Sequence, residues 1–464
     1  MTTGWTNWLG DRHCDCEVAR PRSLEELQQV VRRAAREGRR IRPAGAGYSW
    51  SPLVSDAEFL VSMCNLDQPI RPIEAGERTV EVQCGMTIGK LTTLTRKAGF
   101  TPISPTLFPK PTIGGVIATG SHGTGIKTGN FGDQVLEMTI VRADGSLQVI
   151  GNEDRDFRAA QVALGTLGIL YSVKLRVEPQ FNVYTDKRLV PVHYVLEEFQ
   201  DLIESYEFVE ILWFPQQSHM WLYLMDRTHS RADPPRFWSS LRRRLDAAVE
   251  NTAANRLIPW VASHAPRLTP FLNRTASALS NQVKASVQTA SDAFHFQRVY
   301  PKNWDCCYVV PAEHATRAWS EAIALVNEYA RSEQYPVNLA LHCRFTGRSD
   351  AWLAPNYGRR SLWIEVATAR ATPHWRPFFR SMEERWFAIP DARPHWSKVY
   401  DPWRDIASRY PRLRDFLAVR ERWDPDRVFL NPFLENAIFR LPARQRFRPP
   451  PAATPYTTAP PPPV

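Results

Sequence analysis

The chain has 464 residues, 43% of them hydrophobic, which suits about two or three domains with a sizeable core. Its 58 Lys and Arg against 48 Asp and Glu leave a formal net charge of +10, a balance suited to nucleic acid, anionic lipid or an acidic ligand; no zinc-finger spacing or RNA-binding signature supports nucleic acid. No apolar run reaches the ~18 residues of a transmembrane helix, MTTGWTNWLG lacks the basic start and apolar stretch of a secretory signal, and seven scattered cysteines give no disulfide framework, so a cytoplasmic protein is expected.

Residues 23–38, SLEELQQVVRRAAREG, read as a helix. Ser23 and Glu26 make a capping box, Leu24, Leu27 and Val31 form an apolar face, and Gly38 stops it. RRIRP then reads as a short strand leading into PAGAGYS (43–49). Short strands follow at EFLVS, TVEVQC and VLEMTIVR, the last closed by an Asp144-Gly145 turn, with a short helix at Thr87–Ala98. In ILYSVKLRV (169–177), Val173, Leu175 and Val177 share one face. Residues 1–178 therefore read as one α+β domain. Over 179–401, strand-like FVEILWF, MWLYLM and LWIEVAT alternate with helical stretches, a second α+β domain built on an antiparallel sheet. Within it 231–295, rich in Arg, Ala and Ser, reads as helical, and the basic run LRRRLD (241–246) as a solvated helix face. Residues 402–445 return to short helices ending in FLNPFL. The segment 446–464 is a Pro-rich tail whose composition cannot bury a core. There is no internal repeat.

Two loops carry the chemistry. In PAGAGYS, Gly45 and Gly47 allow positive φ and close approach to a ligand, and successive N–H groups in such a turn form an anion nest. It is not a Rossmann fingerprint, because no helix with a third glycine opens directly after it. PTIGGVIATGSHGTG (111–125) interleaves five glycines with Thr119, Ser121, His122 and Thr124, a composition suited to phosphates and a flat polar ring. His13, Cys14 and Cys16 would make half a metal site, but no second pair has suitable spacing, so no metal is expected. Cys306-Cys307 reads as packing.

RPAGAGYSW, GGVIATGSHGTG about 70 residues later, and LGTLGILYSVKLRV together resemble the FAD-binding domain of the p-cresol methylhydroxylase/vanillyl-alcohol oxidase superfamily. RPHWSK (393–398) and DPDRVFLNPFL (424–434) are similar to its sugar-1,4-lactone oxidase and alditol oxidase branch, and the early NWLG also fits. The likeness runs to about residue 438. It implies an FAD-dependent oxidoreductase acting on CH–OH groups, its FAD domain split in sequence by a substrate-binding cap. Pro43, Ala44, Gly45, Ala46, Gly47, Tyr48 and Ser49 would wrap the pyrophosphate. Thr112, Ile117, Gly120, Ser121, His122, Thr124, Gly125, Ile126 and Lys127 would line the flavin and its phosphates. Ile169 would meet the adenine side through its backbone, and Asn431 would help close the site.

Two departures qualify the resemblance. Many members carry, at the position of Tyr48, a histidine bonded covalently to the flavin; a non-covalent flavin is therefore expected. The family's Glu-x-Arg pair is here His342 and Arg344, both expected to be catalytic; the imidazole removes the carboxylate partner of the arginine and offers a different base, and Glu365 on the next strand could supply the missing charge. Lys398 matches the lysine beside flavin and substrate, with His395 and Trp396 shaping the same wall. Pro111 stands where the family gates oxygen, and proline there accompanies oxidases, so O2 is the expected acceptor. The expected partner is a small-molecule substrate: a sugar lactone, a polyol or a related hydroxylated metabolite. A non-sugar substrate on the same fold and a flavin-less binding protein are the alternatives; the latter would dock through the basic stretch at 236–275.

Overall fold

The computed structural model describes residues 2–74, 76–233, 253–279, 285–294, 301–402 and 404–442; LRRRLD and the Pro-rich tail lie outside them. Among the described residues three sheets take the strands in chain order. The first has order β1-β2-β4-β3, with β1 at Thr2–Thr6, β2 at His13–Ala19, β3 at Ile41–Ala44 and β4 at Phe59–Ser62. The helix Leu24–Arg36 crosses between β2 and β3. Ser23 Oγ accepts the Glu26 N–H at 3.2 Å, and Leu27, Val31 and Ala34 are buried against the sheet. The Glu26 carboxylate reaches the Arg22 N–H, one residue earlier than a capping box requires.

The second sheet comprises β5 (Pro69–Glu74), β6 (Thr79–Gln83), β7 (Phe100–Pro102), β8 (Val135–Val141), β9 (Leu147–Gly151) and β10 (Ile169–Pro179), in the order β5-β6-β10-β8-β9 with β7 beside β10. Val173, Leu175 and Val177 share a buried face, as their alternation predicts. Residues beyond 402 return to this core, where Phe416, Val419 and Leu434 pack with Val135 and Val173.

The third sheet is antiparallel throughout: β11 (Asn182–Pro191), β12 (Phe208–Trp213), β13 (His219–Thr228), β14 (Ala285–Thr289), β15 (Asn303–Pro311), β16 (Leu341–Thr346), β17 (Ser361–Ala369) and β18 (Arg393–Pro394), ordered β14-β11-β13-β12-β16-β17-β15-β18. One face packs its apolar residues on the helices Val192–Ser205, Ala315–Arg331 and Trp375–Phe387. Pleating sends alternate residues of the central strands to the other face: Glu210 on β12, His342 and Arg344 on β16, Trp363 and Glu365 on β17, Asp305 and Cys307 on β15. Arg344 lies opposite Glu210, and His342 opposite Glu365.

Two expectations change, and the reading of Cys306-Cys307 as packing holds. The stretch 231–295 is not all helix: Ile258–His264 and Thr269–Leu279 are, but Ala285–Thr289 is the edge strand β14. Cys14 and Cys16 form a disulfide. Residues two apart on a strand point the same way, and their Cα atoms lie 5.2 Å apart, within bridging reach. Cys306 and Cys307 are each buried on opposite faces of β15, so their adjacency in sequence is not adjacency in packing.

Candidate active site

β3 delivers Ala44 into the loop Gly45–Ser49 at the foot of a cavity of about 300 Å³. The backbone N–H groups of Gly45, Ala46, Gly47, Tyr48 and Ser49 find no acceptor among the described residues. Backbone donors are rarely left unpaired when partly buried, so five in succession mark a place built for an anion. Gly47 takes φ +75°, which turns the loop. A Cβ on Gly45 would lie 2.0 Å from Thr112 Oγ1, so the two glycine-rich loops approach closer than a side chain permits. Beneath them Arg42, fully buried, donates to the carbonyls of Leu53, Leu164, Gly165 and Phe429 and is committed to holding the scaffold.

Tyr48 stacks on Trp8 with centroids 5.4 Å apart and leans on Phe108 at 5.6 Å. Burial pushes its phenol pKa up, so the ring is a neutral aromatic wall. Pro43 through Ser49, Pro111, Thr112, Ile117, Ser121 and His122 line the cavity from the first two sheets. His342, Arg344, Glu365 and Asp305 line it from the third, and His395 and Lys398 from the segment after β18.

The polar end is a cluster of paired charges. Arg344 Nη2 donates to Glu365 Oε1 at 3.1 Å and lies 3.4 Å from His122 Nε2. His122 Nδ1 sits 2.8 Å from the Gly123 carbonyl, which only accepts, so Nδ1 carries the proton and Nε2 receives Arg344. His122 also stacks on Trp363 at 3.8 Å. Burial, then the neighbouring Arg344, His395 and Lys398, holds its pKa well below the usual histidine value. His395 Nδ1 accepts the Ser397 N–H at 3.2 Å, and burial with the Lys398 charge lowers its pKa to about 3. Both rings are therefore neutral. Lys398 is ion-paired with Asp305. Burial works against its ammonium, but the Asp305 and Glu365 carboxylates outweigh that and hold it charged. Glu365 in turn is kept ionised against burial by Lys398 and Arg344. His342 Nε2 lies 3.3 Å from Glu210 Oε2.

Several expected site residues stand elsewhere. Gly120, with φ +62°, packs on Pro355 and Val162 outside the cavity lining. Thr124, Gly125 and Ile126 join the second loop to the third sheet: Thr124 Oγ1 donates to the Val209 carbonyl, the Gly125 N–H to Phe345 and the Ile126 N–H to Glu207. Lys127 is exposed. The Ile169 side chain is buried with Val31 and Val141 in the small core under the helix Leu24–Arg36, while its neighbours Gly168 and Leu170 line the cavity on either side of the backbone expected to meet the adenine. Asn431 does not face the cavity either; its amide donates to the carbonyls of Pro52 and Ser55 and fixes the chain just past the first loop. Asp305, Trp363 and Glu210 were not anticipated. A carboxylate standing alone in an apolar strand, as in FVEILW and NWDCCYVV, was the available signal.

The unpaired amides, the cavity and the cationic Lys398 in its lining fit FAD: donors for a pyrophosphate and a positive charge for a reduced flavin. Comparison with known proteins agrees. Residues 17–151 match the FAD binding domain, and residues 173–437 match the family described as D-arabinono-1,4-lactone oxidase. L-gulono-1,4-lactone dehydrogenase of Mycobacterium tuberculosis is 28% identical over 450 residues, covering 94% of this chain and 100% of that protein. L-gulonolactone oxidase of Mus musculus is 26% identical, covering 93% and 98%. Alditol oxidase of Streptomyces sp. is also 26% identical, covering 94% and 100%. A cholesterol oxidase from B. sterolicum shares the fold at 17% identity, with a TM-score of 0.77 over 95% of this chain and 97% of that one. A family match over more than half its length makes the chain a member of the D-arabinono-1,4-lactone oxidase family, an FAD-dependent oxidoreductase acting on CH–OH groups.

Proposed function

We propose that this enzyme oxidises a CH–OH group of an aldono-1,4-lactone or a polyol, with FAD bound non-covalently. The observation that carries this reading is the paired charge cluster of Arg344, Glu365, Lys398 and Asp305, which lines the same cavity as the Gly45–Ser49 nest. The names of the relatives above point to gulonolactone and alditols, and the polar, charged lining suits a hydroxylated substrate. Residues 1–178 and 402–445 would form the FAD-binding part, and 179–401 the substrate cap.

FAD, when bound, supplies the two-electron acceptor. Arg344 binds and polarises the reacting oxygen, and Glu365 fixes the guanidinium as the family's glutamate would from position 342. Lys398, held by Asp305, offers a fixed positive charge where negative charge develops. Neutral His122 and His395 shape the wall without repelling these cations. Tyr48 carries no imidazole to bond the flavin, and its ring is occupied by Trp8 and Phe108. The cavity-lining Pro111 favours O2 as acceptor, in keeping with the notion that proline there admits oxygen.

The test is anaerobic mixing of the purified holoenzyme with L-gulono-1,4-lactone, D-arabinono-1,4-lactone, xylitol and sorbitol in turn. Loss of the oxidised flavin band with at least one compound supports the reading. A flavin left oxidised by all four overturns the substrate class.

A further inference from the structure

An alcohol oxidised beside a flavin must lose a proton from oxygen as well as a hydride from carbon, so some group has to receive that proton. The cavity holds five candidate acceptors, and four are already committed. Asp305 holds the Lys398 ammonium through Oδ2; its Oδ1 makes no hydrogen bond among the described residues, but a proton there would neutralise the carboxylate that keeps the buried ammonium paired. Glu365 is paired with Arg344 and held ionised by the surrounding cations, which makes it a weak base. His122 has its proton on Nδ1 and its Nε2 turned to Arg344. His395 uses Nδ1 to accept the Ser397 N–H.

The fifth is His342. Its Nε2 faces Glu210 Oε2 at 3.3 Å, and an ionised carboxylate only accepts, so Nε2 carries the proton. Nδ1 then presents a lone pair that makes no hydrogen bond within the described residues, on a ring that lines the cavity. Glu210 itself is not in the lining; its side chain is 12% exposed, that of His342 9%. The carboxylate therefore stands behind the imidazole, as an orienting group stands behind a general base.

We propose that Glu210 and His342 form a dyad in which His342 Nδ1 takes the proton of the substrate hydroxyl and Glu210 fixes the ring. The proposal rests on the CH–OH oxidation put forward above. In the step the O–H bond breaks with its proton going to Nδ1, the C–H bond breaks with its electron pair going to FAD, and the C=O bond forms. The resulting imidazolium faces the Glu210 carboxylate and returns its proton to solvent after product leaves. His342 is thus a catalytic residue and Glu210 a positioning residue.

Two readouts test the dyad. The first needs no turnover: 15N spectra of histidine-labelled holoenzyme, with the His342 signals identified by their loss in His342→Gln. An Nε2–H tautomer that is disturbed by Glu210→Ala supports the dyad; an Nδ1–H tautomer, or signals indifferent to Glu210→Ala, overturns it. The second is anaerobic flavin reduction across pH by whichever of the four compounds bleaches the wild type. His342→Gln should slow reduction about 100-fold and abolish the acid limb of the profile. Glu210→Ala should slow it about tenfold and move that limb with substrate binding unchanged, and added imidazole should partly rescue His342→Ala. Reduction within twofold of wild type in His342→Gln, with the same pH profile, overturns the base role. If none of the four compounds reduces the wild-type flavin, the proposed substrate class fails, and the tautomer alone decides the dyad.

Discussion

His342 and Glu365 stand directly opposite each other on β16 and β17, yet each is drawn to a different charge: His342 to Glu210 at 3.3 Å, Glu365 to Arg344 at 3.1 Å. The family pattern has a glutamate where this chain has His342. Here the carboxylate comes from the neighbouring strand, in register, and the arginine keeps its anionic partner. The substitution at 342 therefore changes which groups surround the guanidinium without leaving it unpaired.

The first loop should tolerate no side chain at Gly45. In Gly45→Ala the new Cβ meets Thr112 Oγ1 at 2.0 Å, and the loop must move away from Thr112. The expected result is a folded protein that purifies with most of its FAD lost. Adding Thr112→Ala should restore part of the flavin, since it removes the clashing hydroxyl. Full flavin content in Gly45→Ala would contradict the close approach of the two loops.

Acid precipitation should release all the flavin into the supernatant, because Tyr48 stacks on Trp8, leans on Phe108 and offers no imidazole. Tyr48→Ala should weaken FAD retention by opening that wall, at about 1 kcal/mol for each aromatic pair it breaks. Flavin colour staying in the pellet would mean that another side chain bonds it.

The two neutral histidines make stability depend on pH. The pKa of His395 is lowered to about 3, against about 6.5 in the unfolded chain. Between those values the unfolded state binds a proton that the folded state does not. Stability is therefore full above about pH 6.5 and falls as pH drops, by up to about 1.4 kcal/mol per unit for each such group. His395→Gln should flatten the fall in urea-unfolding free energy between about pH 6 and 5 by that amount. An unchanged slope would mean that His395 is charged when buried.

Asp305→Asn should destabilise the protein by about 3 kcal/mol, because it leaves the buried Lys398 ammonium without its ion-pair partner. The loss falls at the low end of the range for broken buried pairs, since Glu365 also acts on Lys398. Urea unfolding at neutral pH measures it, and Asp305→Glu should be milder. A loss below about 0.5 kcal/mol would show that Lys398 does not depend on Asp305.

The legible part of this protein was local. The Ser23 cap, the Val173-Leu175-Val177 alternation and the two glycine-rich loops each announce themselves within a few residues, and each stands where its pattern put it. What the sequence left open depended on strand register. Glu365 was legible as the charge on the strand after Arg344, but nothing local says that Glu210 and Asp305 share that sheet face, because β12 and β15 are separated from β16 by helices and join it only through the sheet. The same limit misplaced Thr124, Gly125 and Ile126: a run that reads as continuous ligand-binding loop leaves the cavity after His122 to pair with β16 and reach the carbonyls of Val209 and Glu207. It also hid Cys14–Cys16, since a bridge two residues apart needs only a contracted strand, not a framework of distant pairs.

The most direct test of the relocated carboxylate is anaerobic stopped-flow reduction of the flavin in wild type and Glu365→Gln with the same aldonolactone and polyol panel, at matched FAD content. The prediction is that the wild-type flavin is bleached and that Glu365→Gln slows the reduction about 100-fold, the scale of removing one fixed electrostatic partner from a reacting site. Reduction in Glu365→Gln within twofold of wild type would contradict the claim that Glu365 does the work of the glutamate missing at position 342.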